Sequence, residues 1–125
     1  MNKEIIVAVI VTRSLLLADG LAALLRAIPQ IDEVRISRNV DEALAEIESL
    51  KPRIALIDSV GLGNRPTELL QKIVLSSPET RRLLLVDGAQ EMKWMPQYAE
   101  AVLIKGVSPS AVAAVVTNLL FPKGE

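Results

Sequence analysis

Four apolar runs in this chain end abruptly on polar or charged side chains. Ile5–Val11 gives way to Thr12 and Arg13, Ile54–Ile57 to Asp58, Leu83–Val86 to Asp87, and Ala101–Ile104 to Lys105. If those runs are neighbouring strands, their ends share one rim, and two carboxylates and two cations meet there. Such a set could bind an ion, move a proton or neutralise itself, and the four formal charges sum to zero. General acid–base hydrolysis would require two carboxyls with separated pKa values and a substrate cleft. The sequence indicates neither, so no catalytic residue is assigned and the chain is expected not to be an enzyme. It contains no histidine and no cysteine, which removes the commonest general base, thiolate chemistry and the usual zinc ligands.

The elements that must position this rim follow from periodicity. The β-branched run Ile5–Val11 is apolar throughout, as a strand covered on both faces should be. Leu17, Leu21, Leu24, Leu25 and Ile28 then mark one face of a helix that Ser14 caps and Pro29 ends. Glu33–Ser37 reads as a more polar strand near a sheet edge. Asn39 with Glu42 three residues on resembles a capping box, and Ala43, Leu44, Ile47 and Leu50 continue an apolar stripe that Lys51-Pro52 stops. Pro66 opens a third helix along Leu69, Leu70, Ile73 and Val74. A short helix or irregular segment carries Trp94 and Tyr98, and Ser108-Pro109 caps a last helix with Val112, Val115, Val116, Leu119 and Leu120 inward. Five β-α units of about 25 residues each imply right-handed crossovers and a doubly wound parallel sheet with helices on both faces. The 125 residues therefore make one domain, 1–125, of α/β class. Ligands of such sheets bind beyond the carboxyl ends of the strands, which is where the charged residues lie.

Fourteen basic against fifteen acidic residues, without a basic run, argue against direct nucleic-acid binding. The run Ile5–Val11 is too short to span a bilayer and lacks the flanks of a targeting segment, so a cytoplasmic, membrane-free protein is expected. Gly61-Leu62-Gly63-Asn64-Arg65 lacks the spacing of a phosphate loop, and no dinucleotide fingerprint follows the first run. No cofactor is implied.

The chain resembles the receiver domains of two-component response regulators, especially the LuxR/NarL-type transcription factors. The resemblance runs along essentially the whole length. It rests on Ala18-Asp19-Gly20-Leu21, on Pro52-Arg53-Ile54-Ala55-Leu56-Ile57-Asp58, and on Val102-Leu103-Ile104-Lys105-Gly106-Val107-Ser108-Pro109. It implies the flavodoxin-like strand order 2-1-3-4-5, with Asp58 at the position of the phosphoryl acceptor and Lys105 at that of its lysine partner. Three family features are missing. The acidic pair that holds magnesium is replaced by Thr12 and Arg13, the hydroxyl residue after the fourth strand by Asp87, and the aromatic switch three residues before the lysine by Val102. Exchanging two carboxylates for a hydroxyl and a guanidinium removes two negative charges and adds a positive one, so magnesium binding should be poor or absent and no metal site is assigned.

Two arrangements of the rim remain open. Either Arg13 and Lys105 neutralise Asp58 and Asp87 in a closed network, or Arg13 points to solvent and Asp58 stands unpaired. Both imply a degenerate, pseudo-receiver domain: a signalling or protein-interaction module that works without phosphorylation. The alternatives are a phosphorylatable receiver using Asp58, served by a sensor kinase and controlling a DNA-binding domain outside this chain, and a sensor in which Arg13 and Lys105 recruit an anion. A protein partner or a homodimer is expected. Trp94 and Tyr98, four residues apart beside Met92 and Met95, either anchor that contact or cover the sheet edge within the protomer.

Overall fold

The computed structural model describes residues 4–60, 65–88 and 98–122. Five parallel strands, β1 (Val7–Val11), β2 (Glu33–Ser37), β3 (Ile54–Asp58), β4 (Arg81–Val86) and β5 (Ala101–Ile104), form one sheet in the order β2-β1-β3-β4-β5. Four helices are seen among the described residues: α1 (Leu15–Arg26), α2 (Val40–Leu50), α3 (Arg65–Ser76) and α4 (Pro109–Leu120). Trp94, Met92 and Met95 fall in 89–97, and most of the glycine-containing loop in 61–64, outside the described residues.

Strand alternation divides the core into two layers. Ala8, Ile10, Ile54, Leu56, Leu83 and Leu85 turn to one face and are covered by α1 and α4 through Leu21, Leu25, Val112 and Val116. Val9, Val11, Ala55, Ile57, Leu84 and Val86 turn to the other and meet Ala43 and Ile47 of α2 and Leu69, Leu70 and Ile73 of α3. The central strands β1 and β3 are buried along their whole length, as their unbroken apolar runs require, while polar β2 takes an edge.

The helix starts are those read from sequence. Ser14 Oγ accepts from Leu17 N at 3.1 Å, Asn39 Oδ1 from Glu42 N at 2.8 Å, and Ser108 Oγ from Ala111 N at 3.1 Å. Glu42 closes its half of the cap on Arg38 N rather than Asn39 N, one residue earlier than a capping box would. The strand limits shift more. Ile5 lies before the sheet and is exposed, so β1 is shorter than its apolar run. Conversely, β4 begins at Arg81, two residues before its apolar run, because Arg82 is held at its start by Glu100.

Candidate functional site

Parallel pairing sets the depth of each residue at the carboxyl rim. Val11 pairs with Ile57, which puts Thr12 level with Asp58, and Asp58 pairs with Leu85. Leu85 pairs in turn with Leu103, so Asp87 and Lys105 both lie two residues, about 6–7 Å, farther out. A lysine stem can reach back over that distance and an aspartate cannot. Alternation also matters. Thr12 and Asp58 continue the parity of Ile10 and Leu56 on the α1/α4 side, whereas Arg13 takes the opposite parity.

The side chains follow this geometry. Asp58 is 3% exposed, and Lys105 Nζ lies 2.6 Å from its Oδ1. The same oxygen accepts from Val60 N at 3.0 Å. Thr12, also buried, donates its hydroxyl to Asp58 Oδ2 at 2.7 Å and accepts from Ser14 N at 3.1 Å, which ties the carboxylate to the start of α1. Backbone bonds fix the rim beneath: Thr12 N to Ser37 O, Ser59 N to Leu85 O and Lys105 N to Val86 O, all between 2.8 and 3.0 Å. Both oxygens of the buried carboxylate are thus supplied with donors, one of them cationic.

The closed four-residue network does not form. Among the described residues the ion pair of Asp58 at this rim is with Lys105, while Arg13 and Asp87 are exposed. Asp87 lies too far out to reach Asp58, and Arg13 takes the opposite parity. Nor does Asp58 stand unpaired, as the other arrangement had it. Val102 is half-buried against the α2/α3 layer, and so is Tyr98, which covers that face of the sheet within the protomer. Residue types alone gave no sign of the Val60 and Ser14 N–H groups. A hydroxyl or carboxylate followed two residues later by a free N–H in a loop is the local pattern that could have done so.

A magnesium ion does not suit this donor set. It requires near-octahedral oxygen coordination, usually with carboxylates. Among the described residues Asp58 is the one buried carboxylate and no three acidic side chains converge, and Thr12 presents Asp58 with a proton.

Neither a protein-family model nor a curated protein matches the chain by sequence. Solved structures do match by shape. A CheY-like response regulator receiver domain protein from Methanospirillum hungatei JF-1 superposes with a TM-score of 0.81 at 24% identity, covering 94% of each chain. The signal receiver domain of the putative response regulator NarL from Mycobacterium tuberculosis gives 0.83 at 19% identity, covering 97% of this chain and all of its own. The fold is that of a receiver domain. A putative pilus assembly-related protein from Burkholderia pseudomallei K96243 shares it as well, with a TM-score of 0.77 at 16% identity over 100% of this chain and 98% of that one. Within this receiver fold Asp58 ends the third strand and Lys105 follows the fifth, the two positions that the sequence resemblance assigns to the acceptor and its lysine.

Proposed function

We propose that this chain is a signalling module of the receiver fold that acts by protein contact, with Asp58 held in a fixed pair rather than charged with phosphate. The observation that carries this reading is the Thr12 hydroxyl on Asp58 Oδ2, at the place where the receiver pattern has a metal-binding carboxylate. Phosphoryl transfer to a carboxylate needs charge neutralisation in flight, which a divalent ion ordinarily supplies. A neutral hydroxyl and a guanidinium in place of two carboxylates offer that ion no anionic ligand. Asp87 adds a negative charge at the rim, which disfavours an incoming phosphate. The domain then has no phosphorylation-dependent second state of the usual kind, and it serves as a constant surface in a signalling pathway, as an adaptor or as part of a transcription factor of the LuxR/NarL type. It performs no catalysis of its own.

A second reading is favoured by the Lys105–Asp58 distance of 2.6 Å, the pairing that a phosphorylatable receiver uses. Magnesium titration separates the two. Calorimetry of the wild-type chain is expected to show no saturable heat with magnesium, whereas the double variant Thr12→Asp, Arg13→Asp acquires it. Saturable magnesium binding by the wild type that is lost in Asp58→Asn would favour the phosphorylatable reading.

A further inference from the structure

On the α1/α4 side, a groove of about 830 Å³ follows α1 down from the carboxyl rim, where the first turn of α4 forms its other wall. That volume lies in the range of small-molecule sites, which are mostly apolar with a few placed polar groups. The floor fits the description, with Leu21, Leu24 and Leu85 along it. Among the described residues that line the groove a single one is charged, Lys105, and it stands at the rim end. Gly20 lies on the α1 wall. A glycine inside a helix is destabilising relative to alanine, yet a methyl added at Gly20 would meet nothing within 4 Å. The packing of the protomer does not call for the bare backbone there. What Gly20 does, together with the short side chains of Ala23 and Ala27, is keep the groove open.

The distribution of charge indicates what fits. Helices α1 and α4 both begin at the carboxyl rim, so two positive helix ends meet Lys105 at the mouth of the groove. The first turn of α4 also leaves the Ser110 N–H without an intrahelical partner, and Ser110 lines the mouth. An ammonium has three donors. Lys105 meets Asp58 Oδ1 at 2.6 Å, and its side chain is still 24% exposed. Away from the mouth the walls are uncharged, and from Leu16 to the cap residue Ala27 the α1 wall is about 16 Å long. A positive mouth over a long apolar trough is complementary to a molecule with one anionic head and one extended tail. We propose that this groove binds a free single-chain carboxylate of the fatty-acid class, with the tail along α1 and the head between Lys105 and the Ser110 N–H. The proposal goes beyond the reading above and holds whether or not Asp58 accepts a phosphoryl group.

Calorimetric titration of the whole chain tests it, with dodecanoate and dodecyltrimethylammonium as probes, each below its micelle concentration. The two share a tail and differ in the sign of the head. Dodecanoate should bind saturably, one per chain, and the cationic probe on the order of tenfold more weakly or not at all. Gly20→Met and Ala23→Met put a flexible side chain into the trough from exposed helix positions that methionine suits. Each should weaken dodecanoate on the order of tenfold, with circular dichroism and thermal melting confirming the fold. Amide resonances of Gly20 and Ser110 should move on titration, and those of β2 and α2 should not. No saturable binding of dodecanoate, equal affinity for the two heads, or Gly20→Met and Ala23→Met variants that bind as the wild type does would overturn the proposal. So would a dimer in sedimentation velocity that dodecanoate leaves intact, which would make a second copy the occupant. Retention on phosphatidylglycerol vesicles without uptake of the free probe would overturn it as well, in favour of a lipid surface.

Discussion

The two ends of the sheet both carry ion pairs, yet the pairs are built differently. At the amino end, Arg82 grips Glu100 through two nitrogens at 3.1 and 2.7 Å, and its third goes to Leu70 O at 3.3 Å. Arg53 likewise spans Glu4 and the carbonyl of Leu120. These guanidinium groups tie strand starts to the chain around them and remain in reach of water. At the carboxyl end the carboxylate is the buried partner, and its donors are a lysine tip, a hydroxyl and one backbone N–H. The amino end is fastened through backbone carbonyls. The carboxyl end concentrates one negative charge in a place that only its neighbours make tolerable. That asymmetry separates scaffold from site: a buried charge with dedicated partners is where a change of one side chain has most effect.

The largest effect should come from Lys105→Met, which leaves Asp58 buried without its cation. A loss of about 2–3 kcal/mol in urea unfolding is expected, somewhat below the cost of breaking a fully buried pair because Lys105 is partly solvated. Asp58→Asn added to that background should recover much of the loss, since a neutral amide needs no counter-charge. Recovery of nothing would mean that the lysine acts through its stem and not its charge.

At the opposite end the difference is one of pH. Burial alone pushes the Glu100 carboxyl up, but the hydrogen bonds from the Arg82 side chain and backbone and the Arg82 charge together outweigh it, and hold the group below the usual carboxylate range. A depressed folded value contributes stability that is complete above the unfolded value near pH ~4.3 and disappears as pH falls through the folded one. The Glu100→Gln variant should therefore be less stable at neutral pH and show a flatter acid limb below about pH 4. An unchanged acid limb would remove Glu100 from the account of the amino end.

Thr12→Val keeps shape but takes a donor from Asp58 and an acceptor from Ser14 N. About 1–2 kcal/mol should be lost, with Thr12→Ser retaining most of it. Smallest of all should be Arg65→Ala. Its contacts with Asp41 and Glu68 are exposed on both sides, so the unfolding midpoint should not move measurably.

Much of this was legible in the sequence, for identifiable reasons. Buried parallel strands leave unbroken apolar runs, and Ala101–Ile104 and Glu33–Ser37 have the limits their residue types indicate. Caps are local, so Ser14, Asn39 and Ser108 could be read directly. Identifying Asp58 and Lys105 as partners needed the strand order as well as the runs. What periodicity could not supply was depth. Charge types alone made Arg13 and Asp87 equal members of the rim. Register and parity place them apart from Asp58, Arg13 by one residue of alternation and Asp87 by two residues of rise. Arg81 and Arg82 hid the start of β4 for a related reason: a charged strand start is stable only because Glu100, eighteen residues away, meets it.

The most direct measurement is intact-protein mass after incubation with a small phosphodonor and magnesium. A carboxylate already supplied by Thr12, Val60 and Lys105, with no acidic pair to seat the metal, should leave the chain unmodified. A stoichiometric phosphoryl adduct that disappears in Asp58→Asn would contradict the account.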